Sequence, residues 1–372
     1  MPRIQGVKES SDKNSKIYLE PRDPWHLESC LHMKAAVYYT NADIRIEERP
    51  IPSISDHEIL VKMKACGICG TDVMEWYRVK KAPCVLGHEM TGEILDIGKN
   101  VEGFQKGDRV FVSHHVPCYT CHHCLQGDYT ACELLHIGNY DPGGFSEFIR
   151  IPEANVRHGT FLLPTGLSFE DGTMIEPLAC AVAGQNLLGL KEGQTVLIIG
   201  SGVSGILHIQ LSKMKGAKVI ATDINEYRMN KAMDFGADRV IDAGKYSLNV
   251  LKNINDDRPA DAVIVCSAAK QAIDYALVSI GRKGKILFFA VPETDISIPA
   301  LSFWRDEITV LFSYGAAPGD LEKAMELIDS RMIDIRKMIT QRVPLSSIMH
   351  GFQLVSEAKE SLKVVVVPDK EG

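Results

Sequence analysis

The run TVLIIGSGVSGIL, residues 195–207, carries a short apolar strand into a glycine-rich turn and then into a helical pattern. Gly200, Gly202 and Gly205 stand in it as G-x-G-x-x-G. The first glycine permits a tight turn, the second lets the backbone approach a pyrophosphate, and the third lets helix and strand pack closely. The opening of the helix at Val203 completes this cofactor-binding group by turning free N–H groups toward phosphates. A lone glycine triplet is an ordinary loop; placed between a strand and a helix, it commits the chain to a parallel βαβ unit. The next strand, KVIATD, ends in Asp223, 23 residues beyond Gly200. A carboxylate there can hold the ribose 2′-hydroxyl of NAD and repel the additional phosphate of NADP. Asp223 can otherwise cap the helix that follows. Arg228 can accommodate a 2′-phosphate, its ordinary reading being a solvent-facing side chain. On balance the residues favour NAD.

The strand–helix alternation continues from about Glu176 through DRVIDA, DAVIVCS and KILFFAV, which implies an α/β fold with a doubly wound parallel sheet. From Met33 to about Ile175 the pattern is different. Short alternating segments such as EILVKMKA, TGEILDIG and DRVFVS, separated by Gly, Pro and Asp, predict a β-rich domain. After ITVLFSYG come a helix from about Asp320 to Asp329, a polar helix and the strand KVVVVP, expected to return to the first domain. The expected organisation is an extension over 1–32, a β-rich catalytic domain over 33–178 and 317–372, and an NAD-binding domain over 179–316. A length of 372 residues accommodates two such cores.

The net charge of −7 excludes the concentrated basic face that a nucleic-acid partner requires. Apolar runs such as 196–199 and 364–367 are far shorter than a bilayer span of about 20 residues, so no membrane partner is expected. The polar stretch KESSDKNSK near the start lacks the apolar core of a secretion signal. Ten cysteines without such a signal indicate a reducing, cytoplasmic setting, where clustered cysteines bind metal.

Four of them do cluster. Cys118, Cys121, Cys124 and Cys132 form C-x2-C-x2-C-x7-C within a lobe of about 115–135. Four thiolates close a tetrahedral structural zinc site with no position left for substrate; an iron–sulfur cluster is the chemical rival. His122 and His123 are read as exposed bystanders. A second, scattered set is Cys69, Thr71, Asp72, His88, Glu89 and Glu176. Thiolate, imidazole and one carboxylate give zinc three ligands and an open fourth place, and Asp72 can orient the His88 ring. Singly, a buried Cys is core filler, a His is a satisfied polar group, and Glu176 suits a helix N-terminus. Cys66, Cys84, Cys180 and Cys266 are read as packing residues.

GICGTD, LGHE, the four-cysteine lobe, IEP and GSGVSG, in that order, resemble the zinc-dependent medium-chain dehydrogenases, in particular the sorbitol, butanediol and threonine dehydrogenase branch of the alcohol dehydrogenase superfamily. The likeness spans about Met33 to Pro368. It implies a Rossmann sheet joined to a GroES-like β-rich catalytic domain, two Zn2+ per chain, NAD, and a homodimer or homotetramer joined through the edge strand ITVLFSYG. By the same resemblance Cys69 and His88 are catalytic zinc ligands, Glu89 and Glu176 compete for the third place, and Thr71 takes the substrate proton. The usual next relay member is a histidine; here it is Met74, so exit by water or by Glu75 is expected instead. Arg78, Lys80 and Lys81 either bind an anionic substrate or form a solvated basic turn, the blander reading.

The function implied is hydride transfer between NAD and a small polar secondary alcohol or polyol, with a ketone or aldehyde in reverse. A carbonyl reductase, a sugar-phosphate or hydroxy-acid dehydrogenase, and a non-catalytic NAD-binding protein are the alternatives.

Overall fold

The protein is seen in a computed structural model that describes residues 32–370. The extension expected over 1–32 therefore lies outside the described residues up to position 31. No described helix is long and apolar enough to cross a membrane.

Alternation of inward apolar and outward polar residues produces the first sheet. Its seven strands include, in spatial order, Ile339–Pro344, Lys363–Val367, Ile59–Ile68, Glu89–Ile97, Arg109–Ser113 and Thr160–Leu162, with Phe148–Ile151 pairing to Ile59–Ile68. The central pairs are antiparallel, and Ile59–Ile68 lies between Lys363–Val367 and Glu89–Ile97. The C-terminal strand thus pairs with Ile59–Ile68 of the β-rich sheet. Its all-valine body, Val364 to Val366, is fully buried. A separate three-stranded sheet holds Asp43–Pro50, His32–Thr40 and Cys84–Val85.

The second sheet is parallel throughout, in the order Arg239–Asp242, Lys218–Asp223, Thr195–Ile199, Ala260–Val265, Ile280–Phe288, Thr309–Phe312. In sequence terms the order is 3-2-1-4-5-6, so the winding reverses between Thr195–Ile199 and Ala260–Val265. A crevice opens at the carboxyl ends of strands at such a reversal. Thr195–Ile199 is buried along its whole length, as a strand covered on both faces must be. Thr309–Phe312 forms the outer edge.

The helix Ile175–Leu188 connects the two halves, and the helix Pro318–Asp329 packs against it. The boundary expected between residues 178 and 179 falls inside the first of these helices. Nothing at that point breaks the backbone, because Ile175, Leu178, Ala179, Ala181, Val182 and Leu188 all bury side chains in one core that both halves share. The turn comes later, at Gly189, which ends the helix at φ +60.

Candidate functional site

The glycine loop follows directly from its strand. Gly200 adopts φ +95, and a Cβ on it would lie 3.1 Å from the Cys266 carbonyl oxygen, across the reversal point. Gly205 is tighter still. A side chain there would strike the Gly200 carbonyl. Gly202 precedes the helix Val203–Met214, where free N–H groups face the crevice. Asp223 ends its strand almost buried and accepts hydrogen bonds from Ser201 N (2.8 Å) and Asn225 N (2.9 Å). It does not cap the next helix. Asn225 does, its side chain accepting from Arg228 N at 3.1 Å. Ile224, beside Asp223, is 81% exposed, an apolar surface next to the carboxylate that sequence reading missed.

Arg228 corrects the solvent-facing reading. A Cβ on Gly202 would lie 3.7 Å from its Nη1, so the guanidinium stands over the glycine loop, with Nε buried and unpartnered. The helix that Asn225 caps turns this side chain back over the loop.

The cysteine lobe is closed by its own backbone. The four sulfurs of Cys118, Cys121, Cys124 and Cys132 all lie within 4.8 Å of one another. The backbone N–H of Cys118 donates to Cys132 Sγ and that of Cys121 to Cys118 Sγ, each at 3.3 Å. Hydrogen bonds from the hydroxyl and backbone of Thr120 and from Cys121 bring the Cys118 thiol down to about 6, which favours a thiolate. The lobe's apolar cluster contains Cys124, Cys132 and Leu135 alone as buried members. So small a core needs a cross-link, and the all-thiol donor set fits zinc. His122 and His123 are exposed, as expected.

The ligand atoms of Cys69, His88 and Glu89 likewise lie within 4.8 Å of one another. Cys69 leaves the end of one strand, and Glu89 starts the neighbouring one, opposite Gly67. Asp72 is fully buried behind them. It accepts from Cys69 N at 3.0 Å and lies 3.5 Å from His88 Nδ1, which leaves Nε2 as the free ring nitrogen. Burial alone would raise the Asp72 carboxyl, but His88 and Arg78 outweigh it and hold it below its ordinary range. A mixed sulfur, nitrogen and oxygen set with an orienting carboxylate fits zinc.

Glu176 stands outside this set. It occupies the first turn of Ile175–Leu188, and its Oε1 accepts from Cys180 Sγ at 3.4 Å. Cys180 therefore does more than fill space.

Three further features escaped sequence reading. Lys363, the first residue of the C-terminal strand, is 2% exposed and bonds Glu89 Oε2 at 2.5 Å and the Ile68 carbonyl at 3.3 Å. Burial works against its ammonium, yet Glu89 outweighs burial and raises it. A lysine heading an all-valine strand was the available signal.

The second feature is a row of rings. The His114 ring lies 4.9 Å from that of His88 and 3.6 Å from that of His115, and Tyr314 of the nucleotide-binding half lies 6.0 Å from His115 and 4.6 Å from His136. Burial brings the His115 imidazole down to about 3.

The third is Arg78. Lys80 and Lys81 are exposed, as a solvated turn requires, but Arg78 is not. The one-turn helix Glu75–Arg78 folds its guanidinium back over Thr71, where Nη2 donates to Thr71 Oγ1 at 2.8 Å and Nε to the Thr71 carbonyl at 3.0 Å. Glu75 points elsewhere, its Oε2 accepting from Asn41 N at 2.8 Å, so it offers no exit from Thr71.

The chain as a whole has relatives. The alcohol dehydrogenase GroES-like domain profile matches residues 55–160, and the zinc-binding dehydrogenase profile matches residues 204–330. The sorbitol dehydrogenase of Bacillus subtilis is 31% identical over 354 residues, covering 91% of this chain and 98% of that protein. The crystal structure of galactitol-1-phosphate dehydrogenase from Escherichia coli superposes with a TM-score of 0.79 at 28% identity, covering 90% of this chain and 100% of that one. A protein described as a zinc-binding dehydrogenase, from Sinorhizobium meliloti 1021 and bound to NADP, superposes with a TM-score of 0.79 at 28% identity, covering 91% and 99%.

Proposed function

Because this chain belongs to the zinc-dependent medium-chain alcohol dehydrogenase family, which uses a nicotinamide cofactor, we propose that it transfers hydride between NAD and a small polar secondary alcohol or polyol. The observation that carries the reading is the convergence of Cys69, His88 and Glu89 beside the Thr71 hydroxyl. Those three residues would hold one zinc, and the four-cysteine lobe a second. Zinc bound among Cys69, His88 and Glu89 supplies a Lewis acid that makes a hydroxyl easier to ionise.

The residues of the chain do the rest. Asp72 keeps the His88 ring in one orientation. Thr71 places its hydroxyl against the substrate oxygen, while the substrate carbon gives hydride to the nicotinamide. Glu89 is favoured over Glu176 as third ligand, since it alone of the two groups with Cys69 and His88. Arg228 over the glycine loop supplies positive charge for the pyrophosphate, and Asp223 favours NAD over NADP through the ribose hydroxyls. A neutral polyol is favoured over a phosphorylated one because the Arg78 guanidinium is already engaged by Thr71 and lies 3.4 Å from Asp72. The exposed side chains Leu301, Trp304 and Phe312 near the sheet edge make self-association part of the reading.

Metal analysis of the purified protein should return two zinc per chain. Cys69→Ser should lower this to one, abolish oxidation of polyols such as sorbitol or butanediol, and leave NAD binding intact. Turnover retained in C69S overturns the assignment.

A further inference from the structure

We propose that Arg78 is a positioning residue that holds the Thr71 hydroxyl with its hydrogen turned toward the Cys69, His88 and Glu89 group, where a reacting oxygen would meet it. This rests on the hydride-transfer reading of the Cys69, His88 and Glu89 group. A hydroxyl has one hydrogen and two lone pairs, whereas a guanidinium only donates and stays protonated in proteins. With Arg78 Nη2 donating to Thr71 Oγ1 at 2.8 Å, the Thr71 hydrogen must point away from Arg78. That hydrogen is donated to Cys69 Sγ at 3.4 Å, a member of the Cys69, His88 and Glu89 group.

Among the described residues, Arg78 and Cys69 are the hydrogen-bond partners of this hydroxyl.

The fork is also held rigidly. Nε grips the Thr71 carbonyl at 3.0 Å, Asp72 Oδ1 lies 3.4 Å from Nη2, and the Tyr77 ring centre lies 5.0 Å from the guanidinium carbon. Backbone and side chain of Thr71 are thereby fixed by one planar group, a task to which an ammonium is unsuited. On oxidation, the substrate C–H bond breaks with its electron pair going to the nicotinamide. The hydroxyl proton goes to water in the cleft, and the C–O bond becomes a carbonyl.

The test compares the full-length zinc-loaded protein with R78A and R78K. The readouts are zinc content, NADH affinity, kcat and KM for sorbitol or butanediol, and binding of trifluoroethanol to the NAD complex by displacement. R78A should keep its zinc and bind NADH normally. It should lose kcat by about 100-fold, the scale for removing one preorganised donor system, with KM changed little, and it should bind trifluoroethanol at least about tenfold more weakly. R78K should remain close to R78A, and added guanidinium ion should restore part of the R78A rate but none of the R78K rate.

Wild-type kcat and trifluoroethanol affinity in R78A, or full activity in R78K, overturn the role of Arg78. If R78A fails to fold, R78K and R78Q take its place with the same readouts, and wild-type kcat in either overturns the role. A zinc-loaded wild type that oxidises no alcohol or polyol would instead overturn the hydride-transfer reading itself.

Discussion

Gly67 stands directly opposite Glu89 across the antiparallel ladder, and a Cβ on Gly67 would lie 1.9 Å from Glu89 Oε2. The missing side chain leaves the space that holds Glu89 Oε2, the oxygen that Lys363 bonds, in a carboxylate grouped with Cys69 and His88. Gly67→Ala should displace that carboxylate. Overpacking of this kind costs about 1–3 kcal/mol. The expected outcome is a folded protein with reduced Tm that has lost one zinc per chain and most of its activity, checked by metal analysis and calorimetry.

Lys363 and Glu89 pair in a region where water does not reach either side chain. Removing one member of a buried pair leaves an uncompensated charge, at a cost of about 3–5 kcal/mol. Lys363→Met should therefore destabilise on that scale in urea unfolding. Adding Glu89→Gln to K363M should recover much of the stability without restoring activity, since Glu89 also groups with Cys69 and His88, the proposed zinc ligands. A double variant no more stable than K363M would show that the lysine acts by packing alone.

The two oxygens of Asp223 are held by Ser201 N and Asn225 N, so this carboxylate braces the loop besides its proposed place at the cofactor ribose. Asp223→Asn removes the charge and keeps an acceptor for one of the two N–H groups. The ratio of kcat/KM for NADP to that for NAD should rise at least about tenfold, the effect of relieving one close charge repulsion of about 1.4 kcal/mol. Asp223→Ala should in addition lower stability by about 1–3 kcal/mol by leaving a buried N–H unpaired. An unchanged cofactor ratio in D223N would remove Asp223 from the cofactor assignment.

His208 is fully buried in the helix Val203–Met214, and burial brings its imidazole down to about 3. In the unfolded chain it titrates near its ordinary value of about 6.5. Between these two values the unfolded state carries a proton that the folded state refuses, so stability falls as pH falls. The slope from this residue is about 1.4 kcal/mol per pH unit below about 6.5. His208→Leu should flatten the urea-midpoint profile between pH 6 and pH 4 by that amount. An unaltered profile would show that His208 is not a source of the acid sensitivity.

Much of the fold was legible because its signals are local. Gly200, Gly202 and Gly205 act within six residues, and their strand and helix adjoin them. The strand–helix alternation imposes the doubly wound order, and the four lobe cysteines approach one another through their own loop. The expected boundary at 178/179 falls inside the helix Ile175–Leu188, where no breaker in the sequence marks a passage from one half to the other.

The sequence by itself determined which residues are available for chemistry: Cys69, Thr71, His88, the two competing glutamates and the glycine loop. Tertiary structure decided which of them meet. Lys363 reaches Glu89 across 274 positions because both flank the strand Ile59–Ile68, and neither neighbourhood contains a hint of the other. Glu89 rather than Glu176 groups with Cys69 and His88 because strand pairing sets it beside them, opposite Gly67, whereas Glu176 lies on the helix Ile175–Leu188 and bonds Cys180. Arg78 and Arg228 read as surface cations, since composition favours that for any arginine in a polar helix. Short helices fold both guanidiniums back, one over Thr71 and one over Gly202. Side-chain direction depends on the packing of distant strands and on which acceptors those strands deliver, and spacing along the chain carries no record of either.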